Sequence, residues 1–192
     1  MADKAMDVYL NDHLAGATLG SDLAEQIHAR NQGTTLGKLM ASLAPQIEED
    51  RQTLISLMDR MDGAQNPVKQ ATAWMTEKVS RAKFSGLTSG EPELGGFMAL
   101  EALALGLQGK KSLWLALKEV HGQYAPLASV NLDELIERAQ AQSNALEVER
   151  LAACRRALRN APQSDRHPRL WRLGGVAGRS LRRKRRAALT MK

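Results

Sequence analysis

His13, Asp50 and Glu101 are the residues of this sequence whose types and spacing could do chemistry together. Each interrupts an apolar stripe at helical spacing. His13 lies among Met6, Tyr9, Leu10 and Ala17; Asp50 among Leu43, Ile47, Leu54 and Leu57; Glu101 among Leu94, Met98 and Leu105. Ser143 and Arg150 fall in the inward arc of a fourth stripe. Burying a polar group without a partner is expensive, so each of these positions demands an explanation. Two carboxylates and an imidazole offer the oxygen and nitrogen donors that iron or manganese accepts in a helical bundle. The same residues could instead satisfy one another, His13 with Asp50 and Glu101 with Arg150, fixing helix register at little net gain in stability.

Four long amphipathic segments must position these residues. The first covers 5–31, with Met6, Tyr9, Leu10, Leu14, Ala17, Ala24 and Ile27 on one face. Gly33 stops it, and Thr34 or Thr35 can cap the next. The second, 35–62, contains Pro45, which predicts a kink or a late start. The third, 93–121, is apolar nearly all round from Phe97 to Leu117, which predicts the most buried element. The fourth runs from its cap at Asn131, paired with Glu134, to about 160, and turns Leu132, Leu135, Ile136, Ala139, Leu146, Ala153 and Ala157 inward.

The turns near 33 and 126 are short, so the four segments make two antiparallel hairpins. With the first turn centred near 33, Asp50 faces a position about three residues from His13, roughly 4.5 Å along the axis. The second turn sets Glu101 opposite 152, beside Arg150. Between the hairpins, Asn66-Pro67 opens a further helix to Phe84, carrying Val68, Ala71, Met75, Val79 and Ala82 on one side. At about 27 Å it is long enough to return along the bundle. The fold class expected is therefore all-α: a four-helix bundle over 1–161 with a helical crossover between its second and third helices, followed by a basic tail over 162–192.

Charge separates these two parts. The chain carries a formal net charge of +6. Residues 162–192 hold ten Lys and Arg against one acid, Asp165, a net of +9, which leaves the body at −3. Arg169, Arg172, Arg179, Arg182, Arg183, Lys184, Arg185 and Arg186 are the candidate contacts to phosphate, either in nucleic acid or on an anionic membrane surface. Trp171 beside Arg169 and Arg172 could add stacking. The competing reading of 162–192 is a disordered, solvated terminus with no specific partner.

Other chemistries are poorly served. One cysteine, Cys154, precludes an internal disulfide and a cysteine-based zinc site; on an inward face it reads as a structural thiol. No glycine-rich phosphate loop follows a strand. Trp74 and Trp114 read as packing or interface residues. The charged N-terminus lacks the apolar run of a signal peptide, and Phe97–Leu107, interrupted by Glu101, is too short for a membrane span. These features predict a cytoplasmic protein.

Two hairpins joined by a long crossover, with acids turned inward, resemble the ferritin-like superfamily. The segments Tyr9-Leu-Asn-Asp-His13-Leu-Ala-Gly, Ile47-Glu-Glu-Asp50-Arg, Asn66-Pro-Val-Lys-Gln and Leu100-Glu101-Ala-Leu-Ala-Leu-Gly also resemble a bacterial family of uncharacterised ferritin-like four-helix-bundle proteins, over 5–160. That resemblance implies the fold and carries no catalytic residue across. Di-iron members of the superfamily need a Glu from each of two helices and Glu-x-x-His from each of the other two. Here the one Glu-x-x-His is Glu25-Gln-Ile-His28, and no histidine falls in the second or fourth segment.

The expectation is thus a non-catalytic bundle acting by binding or structure, with no cofactor and an accessory basic tail. The alternatives are a divergent iron- or manganese-dependent oxidase-like bundle using His13, Asp50 and Glu101, and a nonspecific nucleic-acid-associated protein acting through its tail. Homo-oligomerisation through an uncovered face of the third segment is left open.

Overall fold

A computed structural model of the protein describes residues 4–62 and 92–159. The expected crossover helix, 66–84, and the tail, 162–192, with all eight of its candidate basic residues, lie outside the described residues.

Four long helices carry the described chain: α1 (Lys4–Arg30), α2 (Thr35–Asp62), α3 (Pro92–Glu119) and α4 (Leu132–Ala157). Among the described residues there is no strand, and no helix is long and apolar enough to cross a membrane. Local chemistry sets the ends. Gly33 turns the chain out of α1 in the left-handed region, φ 79°, which costs glycine nothing. Thr34 then caps α2, its hydroxyl accepting from the Gly37 amide at 3.0 Å. Gly37 itself is obligatory, because a Cβ there would fall 1.9 Å from the Asn31 carbonyl oxygen. Asn131 caps α4, accepting from the Glu134 amide at 3.2 Å while its side-chain amide donates to the Glu134 carboxylate, also at 3.2 Å. Pro45 does not delay α2, which runs unbroken through it with the ring on an exposed face.

Two apolar clusters fill the interior. One joins Leu10 and Leu14 of α1 to Leu54 and Leu57 of α2, Leu113, Trp114 and Leu117 of α3, and Leu132 and Leu135 of α4, closed by Leu127 from the connecting 3₁₀ turns. The other joins Ala24 and Ile27 to Met40, Leu43 and Ile47, then to Phe97, Leu100, Leu103, Leu107, Leu146 and Ala153. The start of α1 therefore shares a level with the end of α2, the end of α3 and the start of α4. Each hairpin is antiparallel, while α2 and α3 run parallel. The end of α2 and the beginning of α3 accordingly stand at opposite ends of the bundle.

The core stripes follow a three–four alternation, as in coiled-coil packing. In α2 it reads Met40, Leu43, Ile47, Asp50, Leu54, Leu57; in α3, Leu100, Leu103, Leu107, Lys110, Trp114, Leu117; in α4, Leu132, Leu135, Ala139, Gln142, Leu146. Each stripe holds one polar residue, and those three residues sit between the two apolar clusters.

The third helix, whose composition predicts the most buried element, also carries an uncovered apolar face. Met98, Leu105 and Leu115 are exposed, Leu105 to 73%. A helix at the corner of a four-helix bundle has neighbours on two sides only, here chiefly α1 and α4. Its outer apolar residues are left at the surface.

Candidate functional site

Asp50 is the centre of the polar layer, and it is 1% exposed. Lys110 Nζ donates to its Oδ2, and Arg138 Nη2 is ion-paired with its Oδ1. Gln142, 2% exposed, accepts from Lys110 and turns its amide nitrogen toward Gln46 Oε1 at 3.2 Å and Asp50 Oδ2 at 3.5 Å. Arg138 also reaches Glu49 at 3.0 Å on the exposed side. Three helices thus meet in a layer in which α2 supplies the acid and the α3–α4 hairpin supplies two bases and an amide. Burial pulls the Lys110 ammonium below its usual range, with Asp50 opposing that shift and Arg138 adding to it.

A cavity of about 140 Å³ opens beside this layer, between α1, α2 and α3. Its walls are Ile47, Leu54, Leu103, Leu107 and Leu113, with His13, Asp50, Lys110 and Trp114 among them and Asp12 and Arg51 at its margin. Gly16 and Gly20 of α1 and Gly106 and Gly109 of α3 complete the border. A Cβ built on any of these four glycines meets nothing within 4 Å, and none has positive φ. Neither backbone conformation nor close packing requires them. Each costs its helix about 0.5–1 kcal/mol relative to alanine; what they provide is open space.

Two side chains of the lining, Trp114 and His13, carry ring N–H groups in different conditions. The Trp114 ring is 1% exposed, and its Nε1 meets no hydrogen-bond acceptor among the described residues. An indole N–H can only donate, so it is a buried donor without an acceptor. His13 packs edge-on against Tyr9, ring centroids 4.6 Å apart. Burial lowers its pKa from the usual 6.5, against a smaller opposing pull from Asp12. Burial thus favours the neutral form of its imidazole.

The candidates read from the sequence are only partly brought together. His13 and Asp50 share the cavity, but Asp50 turns to Lys110 and Arg138 rather than to His13. Glu101 stands apart, in a surface groove between α3 and α4, where Arg150 Nη1 donates to it at 3.0 Å. The Glu101–Arg150 pairing is the one expected, although it is superficial rather than buried. Arg150 is held as firmly by Glu147, at 2.6 and 2.7 Å, which raises its pKa. Glu25 is exposed, and no three His, Cys, Asp or Glu side chains among the described residues gather as a metal would need. Cys154 is half-buried against the second apolar cluster.

Lys110, Arg138 and Gln142 are the residues that sequence reasoning missed. Lys110 and Gln142 were detectable, since each occupies a core position of its three–four stripe. Arg138 lies beside Ala139 and gives no such signal.

Comparison with protein-family models, with curated proteins and with solved structures finds no match for the chain.

Proposed function

We propose that the chain is a non-catalytic ferritin-like bundle that acts by binding, and that its place of binding is the cavity beside the Asp50 layer. The parallel course of α2 and α3 supports the ferritin-like arrangement. One observation carries the binding reading: four helix-interior glycines, none needed for packing, border a cavity of about 140 Å³. A bundle selected for stability alone would fill that space with methyl groups. Asp50 is neutralised by Lys110 and Arg138, and Glu101 by Arg150, so these acids have no unmet need for a metal countercharge. The basic segment 162–192 is an accessory contact to phosphate-bearing surfaces.

The test is a thermal-shift screen of the full chain against small molecules that fit about 140 Å³. A ligand at a hundred times its Kd contributes about 2.7 kcal/mol to stability, which appears as a rise of several degrees in Tm. The rise should shrink or disappear in Gly106→Leu, which adds bulk at the cavity's border. If no compound of this size raises Tm, the binding reading fails.

A further inference from the structure

We infer that the outer face of α4 is the interface of a twofold homodimer, in which α4 of a second copy packs antiparallel against it with Glu137 of each facing Arg155 of the other. This surface is separate from the proposed ligand site, because α4 contributes nothing to the lining of that cavity.

The core stripe of α4 occupies one side of the helix, through Leu135, Ala139, Gln142 and Leu146. A second stripe with three–four spacing runs along the opposite side, through Ala141, Asn144, Val148 and Leu151. At 3.6 residues per turn all four fall within about 40° of the direction opposite Leu146. All four are exposed, Val148 to 68% and Leu151 to 41%. A helix that packs on one side only is polar on the other, so valine and leucine at core spacing on the outer side call for a covering surface.

Charge decides what covers it. Glu137 continues the stripe one turn before Ala141, and Arg155 continues it one turn after Leu151. Both are exposed, and neither enters an ion pair among the described residues. Nearby Arg138 and Arg150, by contrast, are each held by a glutamate. The six positions are symmetric about Leu146: Glu137 and Arg155 lie nine residues to either side, Ala141 and Leu151 five, Asn144 and Val148 two. A twofold axis crossing the helix at that level sets Glu137 against Arg155, Ala141 against Leu151 and Asn144 against Val148 of the second copy, each of them twice. A parallel pairing would oppose Glu137 to Glu137 and Arg155 to Arg155, so the pattern selects the antiparallel one. The first-turn acids Asp133 and Glu134 and the last-turn Arg156 extend the same complementarity. Leu105 of α3, 73% exposed, borders the groove that Asn144 also lines, and adds apolar surface beside Val148 of the second copy.

The seam from Glu137 to Arg155 is about 27 Å long. One helix face of that length buries less than about 1,200 Å² in total, so the dimer is weak, with a Kd on the order of 10 μM.

Sedimentation equilibrium of the full chain, at low salt and from well below to well above that Kd, should show monomer and dimer in exchange. Glu137→Arg and Arg155→Glu each bring like charges together at two symmetric points and should raise Kd about tenfold. The double variant Glu137→Arg/Arg155→Glu should return to the parent value. Val148→Lys, at the middle of the seam, should leave only monomer. These side chains are exposed, so each variant should keep the parent's thermal melting. A chain that stays monomeric throughout would overturn the inference, as would a dimer that the single reversals and Val148→Lys leave unchanged. Weakening by both reversals without recovery in the double variant would overturn the antiparallel register.

Discussion

Asp50 stands where a leucine would give a continuous core, and its removal exposes how tightly its partners depend on it. Asp50→Leu leaves Lys110 buried without a carboxylate, for which a loss of about 3–5 kcal/mol is expected. In Asp50→Leu/Lys110→Met the orphaned ammonium is gone while Arg138 keeps Glu49, and most of that loss should return. Urea denaturation of the parent, Asp50→Leu, Lys110→Met and the double variant measures the difference, and additive effects would show that the pair is not coupled. A second prediction concerns Glu48. Hydrogen bonds from Arg51, and then from Gln52 and Ser21, hold its carboxyl at about 2 against an ordinary 4.5. A carboxylate with a depressed pKa stabilises the fold above its unfolded value and loses that contribution as pH falls through the folded one. Because Glu48 is partly solvated, its share is about 1 kcal/mol at neutral pH. Glu48→Gln should therefore be less stable than the parent at pH 7, with the gap closing between pH 4.5 and 2. A gap that persists at the acid end would place its origin in packing rather than charge.

At the scale of the helices, stability and an open cavity pull in opposite directions. Gly106→Ala and Gly16→Ala meet no steric obstacle, so each should raise stability by about 0.5–1 kcal/mol while narrowing the cavity. A substitution that stabilises the fold and weakens ligand binding is the expected signature, read by calorimetry with a compound that the thermal-shift screen selects. Helix boundaries, both caps and the hairpin pairing were legible in the sequence because they rest on local rules: Gly33, Thr34 and Asn131 act on their own neighbours. The polar layer was legible only in part. Asp50 announced itself as an acid among leucines. Lys110, next to Lys111, looked like surface, although its long aliphatic stem can occupy a core position while its ammonium finds a partner. The cavity could not be read at all, because it depends on which faces of α1 and α3 meet. An uncovered apolar face of α3 was legible from its all-round apolar composition, but not which residues, Met98, Leu105 and Leu115, would form it.

For the whole molecule, both apolar clusters fall within residues 10–153. A chain ending at Arg159 should keep its helical circular dichroism and cooperative melting, and unfolding of that chain would show that the basic segment is needed for the core. The same truncation tests the accessory contact. The full chain should bind duplex DNA or anionic vesicles with an affinity that falls steeply with salt, and the shortened chain should not bind. Retention of Fe(II) after anaerobic loading and desalting provides a separate check. None is expected, and one ion per chain lost in both His13→Ala and Asp50→Ala would return the metal-dependent alternative to first place.

The Asp50 layer also decides what each half of the molecule can pair with. The first hairpin contributes a buried acid, and the second contributes Lys110 and Arg138 at the same level. Two copies of the first hairpin, brought face to face, would oppose carboxylate to carboxylate; two copies of the second would oppose four cations. Only unlike halves neutralise one another. The layer therefore works as a discriminator between self and non-self pairing, directing each hairpin to its complement during folding and excluding the like-with-like assemblies that two similar amphipathic hairpins would otherwise allow.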